Sequence, residues 1–541
     1  MVLARRALAG FWCAAVLAAC SGGSHPSSPA STGGGAPDDG GVTATGADGG
    51  AADGGTPDAG SPDAGAPDAG TDGGTALTPP FTKDGWTFYG TAQGLSRDVN
   101  DASADEGGNV YVAGGDALYA KRRGDAAFQR YDAAASGLTQ NCYAGLPAES
   151  DPAFPAAINR VHPAPPGAPR LCPVVSVAGA APGTAVVGLK GIGTDEDLDA
   201  DWAQDSGGAD LVQFDGAKLS RTRHLFLASP PQTVCVAPDA SGRLVESRAT
   251  SCPNPPDPFF WQVGRRKLRQ VLRIAVNHQA GTPLYGDAFL GGTHASITAY
   301  LHDSAARGLR DRTAGQPAKW ADAKDVWEHD HPAFWSNTRN AFLTGYTHAV
   351  AVDPRSGTPW CSNGFRTAWL RGYGADLHDD VWWLEPETAA NPLWYDFWPD
   401  NAVPTESIDD NVESLAFCDD GTLWIGSSAH GLARRDPGGG VTYLSLPDPG
   451  THGDSVYAVA CDPSDQSVWI GLGWGGLLRW RDGQFTALDP AGLPDFARQP
   501  VRSIQIDRWS NPRIVYAAFM ASADASGAIS AGGGVAAYAG P

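Results

Sequence analysis

Apolar and polar residues alternate in short runs between Asp410 and Leu488, and the pattern of runs occurs there twice. The first copy runs from Asn411 through Cys418-Asp419-Asp420-Gly421 to Trp424-Ile425-Gly426, then Gly431-Leu432, a glycine-rich turn and Val441–Leu444. The second runs from Ser455 through Cys461-Asp462-Pro463 to Trp469-Ile470-Gly471, then Gly476-Leu477 and Gln484–Leu488. Short runs of period two, rich in Val, Ile, Trp and Tyr and bounded by Gly, Asp and Pro, predict strands. Four such strands repeating at roughly 45 residues form the pattern of a β-propeller blade. The matched pairs Trp424/Trp469 and Cys418/Cys461 hold the two copies in one alignment.

Laid over the rest of the chain, this frame predicts an all-β fold, a β-propeller of seven four-stranded blades with strand A innermost. Blade one is Val99–Ala104, Asn109–Ala113, Ala117–Arg122 and Phe128–Tyr131. Blade two is Val174–Gly179, Ala185–Leu189, Asp210–Asp215 and Leu219–Leu227. In blade three, Val271–Val276 is strand A, Phe289–Tyr300 aligns without a gap on Trp469–Trp480, and strand D lies near Val326–His329. Blade four has His348–Asp353, a strand around Trp360, then Asp380–Leu384 and Leu393–Trp398. Blade seven has Val501–Asp507, Arg513–Phe519 and Gly534–Tyr538, and is one strand short. Trp86–Leu95 matches the fourth strand of blade six, so an N-terminal strand is expected to close the ring and remove an exposed edge.

The blade copies resemble the two-component regulator propeller repeats, which pair an Asp-x-x-Gly turn with Trp-Ile-Gly and Gly-Leu. The matching residues are Asp420-Gly421, Trp424-Ile425-Gly426 and Gly431-Leu432, then Trp469-Ile470-Gly471 and Gly476-Leu477. The resemblance implies a periplasmic sensor-like binding role. In that family such domains are mostly fused to histidine kinases, and this chain contains no kinase sequence.

The first 80 residues change the picture of where this ring works. Arg5 and Arg6 precede an apolar run ending in Leu17-Ala18-Ala19-Cys20, which describes a secretory signal over residues 1–19. That ending resembles the bacterial lipoprotein box, which implies cleavage before Cys20, lipidation of Cys20 and an outer-membrane address in the cell envelope. Residues 20–80 contain no Lys or Arg and repeat Pro-Asp-Ala-Gly at 57, 62 and 67, so they are expected to form a disordered tether. A coil of that length averages about 40–45 Å end to end. Residues 81–541 then form the propeller. No later segment is apolar enough over about eighteen residues to span a bilayer, which leaves the lipid as the membrane contact.

The formal charge is −22; taking away Arg5, Arg6 and the eight tether aspartates leaves −16 for residues 81–541. An acidic domain argues against nucleic acid and anionic lipid as partners. Exported chains form disulfides, and Cys142/Cys172 and Cys235/Cys252 flank two Pro-rich insertions as natural pairs. Cys418 and Cys461 are expected to pack as free thiols, with Cys361 the odd cysteine.

In a propeller the B–C and D–A loops converge on one face around the axis. The frame puts Asp116, His294, Phe365, Arg366, His430 and Trp474 there, beside the insertion Lys190–Gly208. Imidazoles, a guanidinium and aromatics on one rim suit an anionic or sugar-like ligand. Within the insertion, Asp197, Asp199, Asp201 and Asp205 offer hard oxygen ligands for Ca²⁺, without the spacing of an EF-hand. His329 and His331 would share one face of a strand, but no third metal ligand can be named. The aromatic run from Trp382 to Trp398 reads as blade core. No nucleophile elbow, P-loop or His-Glu-x-x-His occurs.

The expectation is therefore a monomeric, lipid-anchored extracytoplasmic propeller that binds a ligand or an envelope protein. One alternative is a lyase or hydrolase acting on an extracellular polysaccharide or small metabolite, with His294 or His430 as base. The other is a structural partner in an envelope complex, making contacts through the Pro-rich insertions.

Overall fold

A computed structural model describes residues 78–115, 117–143, 169–191, 206–225, 233–238, 244–249, 261–263, 270–292, 297–302, 326–329, 347–362, 367–370, 382–384, 412–447, 455–524 and 528–540. The protein is a β-propeller. Six sheets have four strands and a closing sheet has five. The expected seven four-stranded blades are therefore six, because Phe81–Lys83 adds an outer strand to the closing sheet by pairing with Trp86–Tyr89. Around the ring the innermost strands are Asp101–Ala104, Val174–Gly179, Val271–Val276, Ala349–Val352, Val412–Phe417, Val456–Cys461 and Val501–Asp507, each beside the next. We number their sheets one to seven in that order.

Both ends of the chain build blade seven. Trp86–Tyr89 pairs antiparallel with Gly534–Tyr538, Phe88 opposite Ala536, and that strand in turn pairs with Ile514–Phe519. The closing strand predicted from sequence is thus in place. Blade four needs a correction: Thr367–Leu370 is its third strand and Trp382–Leu384 its fourth, so the segment expected third is fourth. Leu393–Trp398 lies outside the described residues, as do the side chains of the aromatic run. A three-stranded sheet, Thr233–Pro238, Leu244–Ala249 and Trp261–Val263, occupies the second Pro-rich insertion.

The core lies between blades. Trp424 packs toward blade six, 4.9 Å from Trp480, while its neighbour Ile425 joins a cluster with Trp360 of blade four. Alternation along one strand thus feeds two interfaces. The glycine that ends each Trp-Ile-Gly run has a packing reason. A Cβ on Gly426 would lie 2.6 Å from Val456, and one on Gly471 would lie 2.7 Å from Val501. In both cases the first residue of the next inner strand occupies the space.

Polar stitches join the inner strands to one another. The Val177 N–H donates to Asp101 Oδ2 at 2.9 Å, Ser176 Oγ donates to the Val271 carbonyl at 2.6 Å, and the Val459 N–H donates to Ser414 Oγ at 3.0 Å. These pairs satisfy backbone groups that have no ladder partner inside the ring.

The disulfides differ from expectation in one place. Cys142–Cys172 is bonded as expected, and Cys361 is a buried free thiol whose pKa burial pushes up to about 12. Cys418 and Cys461, expected as free thiols, form a disulfide. The blade alignment places them at equivalent positions, and neighbouring blades bring equivalent positions side by side, with Cα atoms 5.2 Å apart. The Cys252 position and the Cys235 side chain lie outside the described residues.

Candidate functional site on the ring axis

Four of the inner strands begin with the same irregularity. The register shifts between Val271 and Arg273, Val412 and Ser414, Val456 and Ala458, and Val501 and Ser503. A bulge at a strand start re-aims the extra side chain and its neighbour. The extra residues are Leu272, Glu413, Tyr457 and Arg502, Arg273 directly follows Leu272, and His348 holds the corresponding place just before Ala349–Val352.

They meet across the axis. Arg273 of blade three donates through Nη2 to the backbone carbonyl of Arg502 in blade seven at 3.2 Å, and those blades are not neighbours. His348 Nδ1 lies 3.2 Å from Glu413 Oε2, and both residues are buried, at 7% exposure each. The Glu413 Oε1 atom accepts from Ser428 Oγ at 3.4 Å.

The charges act on one another accordingly. Burial lowers the pKa of the Arg273 guanidinium, and the like charge of Arg502 lowers it further, to about 10. Burial opposes ionisation of Glu413, but His348, Arg502 and Arg273 together outweigh it and hold that carboxyl at about 2. Tyr457 is raised, first by burial and then by the charge of Glu413. Asp101 is raised by burial, with Arg273 opposing.

The Glu413 shift has a measurable consequence. Its folded value lies below the ordinary 4.5, so the ionised form is stabilised by folding. That contribution is present above about pH 4.5, is lost as the pH falls toward 2, and amounts to about 3 kcal/mol. Urea denaturation of Glu413→Gln is expected to lose this part of the acid slope. An unchanged slope would assign it to other carboxylates.

The predicted rim residues fall on the same face as this cluster where they can be placed. His430 sits in the B–C turn of blade five, its N–H donating to Ser427 Oγ at 3.1 Å, and Ser428 of that turn reaches Glu413. Trp474, 37% exposed, sits in the equivalent turn of blade six. Its neighbour Gly473 lies against Tyr457, where a Cβ would come within 2.8 Å of the ring. Asp116, His294, Phe365 and Arg366 lie outside the described residues, as do Asp197, Asp199, Asp201, Asp205, His331 and Cys20. Among the described residues no group of three His, Cys, Asp or Glu side chains is placed to hold a metal ion.

The opposite mouth of the ring is crossed by side chains from the A–B turns. Glu106 of blade one pairs with His278 Nδ1 at 2.8 Å and accepts from Tyr285 Oη at 2.8 Å, both of blade three. The His278 ring lies 4.7 Å from that of Trp509 in blade seven. Arg508 of blade seven donates to Asp419 of blade five at 2.7 Å. Contacts between blades that are not neighbours have to pass over the axis.

Fold and site together define a closed β-propeller with a charged cluster on its axis. No family model matches this sequence, and no curated protein matches it. Among solved structures, one from "Crystal Structure of Mitotic Checkpoint Complex" is similar at 10% identity and a TM-score of 0.40, covering 85% of this chain and 95% of that one.

Proposed function

We propose that this chain is a lipid-anchored, extracytoplasmic binding module that takes a small ligand on the ring axis, at the face of the B–C and D–A loops. The observation that carries the reading is the set of functional side chains at the bulged strand starts. Arg273, His348, Glu413, Tyr457 and Arg502 come from five different blades, and none of them is needed to fill an interblade core. Convergent polar groups in a concave site are what a specific ligand site requires. The bonds Cys142–Cys172 and Cys418–Cys461 suit an oxidising compartment, which supports the exported address read from the first twenty residues.

Thermal unfolding of the full-length protein in detergent, with a panel of organic acids, phosphates, neutral sugars and glycans, tests the reading. At least one class is expected to raise the midpoint. If none does, the small-ligand reading falls in favour of a protein partner. A catalytic version would use His348, held by Glu413, in place of His294 or His430 as base, and would show turnover of the ligand that binds.

A further inference from the structure

We infer that the axial site selects a small organic carboxylate, with Arg502 as its main anchor and Arg273 beside it; this rests on the ligand-binding reading above. The Arg273 guanidinium of blade three reaches the backbone of Arg502 in blade seven, and the like charge of the Arg502 side chain acts on it. Among the described residues Arg273 donates to main-chain carbonyls, those of Leu272 at 3.5 Å and Arg502 at 3.2 Å. Among the described residues Arg502 makes no side-chain hydrogen bond or ion pair. Two like charges held together away from bulk water repel each other, and an anion seated between them removes that cost.

The carboxylates nearby are already committed. Glu413 accepts from Ser428 and faces His348, while Asp101 accepts the backbone N–H groups of Ala102 and Val177. Neither makes an ion pair with an arginine within 4 Å among the described residues. A planar guanidinium presents paired N–H donors that match the two oxygens of a carboxylate.

Charge magnitude narrows the class. The two guanidiniums share the site with the carboxyl groups of Glu413 and Asp101, so little net positive charge is left before the imidazole is counted, which suits a small anion of low charge. Residues 81–541 carry −16 overall, a field that repels a polyphosphate before it arrives. With the Glu106, His278, Tyr285 and Trp509 contacts across the other mouth, the ligand enters past the turns that hold His430 and Trp474.

The test is isothermal titration of the full-length protein in detergent with succinate, inorganic phosphate and glucose, in wild type, Arg502→Ala and Arg502→Lys. Succinate is expected to bind and to weaken at least tenfold in Arg502→Ala, with Arg502→Lys falling between because charge is kept and the planar fork lost. Circular dichroism confirms that each variant is folded; Arg502→Lys decides the matter if the alanine variant is not. Equal succinate binding by wild type and both variants would overturn the assignment to Arg502. Phosphate bound more tightly than succinate would overturn the carboxylate class. Glucose bound with no response to succinate would overturn the inference and leave the binding-module reading standing, whereas silence across this series and the wider panel would end both.

Discussion

Replacing Phe88 by alanine is expected to destabilise the protein by about 3–5 kcal/mol, the range for truncating a fully buried aromatic. Phe88 is 1% exposed, lies opposite Ala536 in the closing sheet, and has ring contacts to Trp86 at 6.2 Å and Phe496 at 6.1 Å. Its strand joins the two ends of the chain, so its loss loosens the ring and bares the edge of Gly534–Tyr538. Phe81, 43% exposed on the outer strand, is the control, with an expected effect of under about 0.5 kcal/mol. Urea denaturation of the two variants in parallel checks this. Equal effects would mean that the closing strand is not what holds the ring shut.

The Cys418→Ala, Cys461→Ala double variant is expected to lose about 4 kcal/mol, the loop-entropy value for a cross-link over this separation. The two half-cystines are 43 residues apart and tie blades five and six together near the A–B turns. Reductant is expected to destabilise wild type by at least as much, since it also opens Cys142–Cys172. In the double variant the remaining sensitivity to reductant reports the latter bond. A double variant within about 1 kcal/mol of wild type would show that interblade packing alone fixes this pair of blades.

How much of the site was legible can be seen at particular positions. The blade alignment led to the B–C turns, and so to His430 and Trp474. It passed over the residues one step after the Val that opens strand A in blades five, six and seven. The signal was there: Glu413 follows Val412, Tyr457 follows Val456 and Arg502 follows Val501, each a large polar or charged side chain directly after the Val that opens its strand. Period-two reasoning treats such a residue as one facing a neighbouring blade. It does not show that a bulge turns it toward the axis. Arg273 stands one place later than these three, so its register comes from the bulge and not from the count of residues.

Cysteine pairing was hidden for a related reason. Equivalent positions in a linear repeat look distant, yet a ring of blades brings them within bonding range, which is why Cys418 and Cys461 are joined. The order of strands in blade four was hidden by loop length, since spacing alone could not say that Thr367–Leu370 comes before Trp382–Leu384 in the sheet.

By itself the amino-acid sequence determined most of the strands, their arrangement as propeller blades and the return of the N-terminal strand to the last blade. These follow from local alternation, turn residues and a repeat period, all of which are properties of neighbouring residues. Only the tertiary structure decided which polar residues share the axis, that Arg273 reaches the backbone of Arg502, and that His348 faces Glu413. Those pairs come from different blades and are separated by 229 and 65 residues, so closure of the ring, and not any local preference, sets their distances.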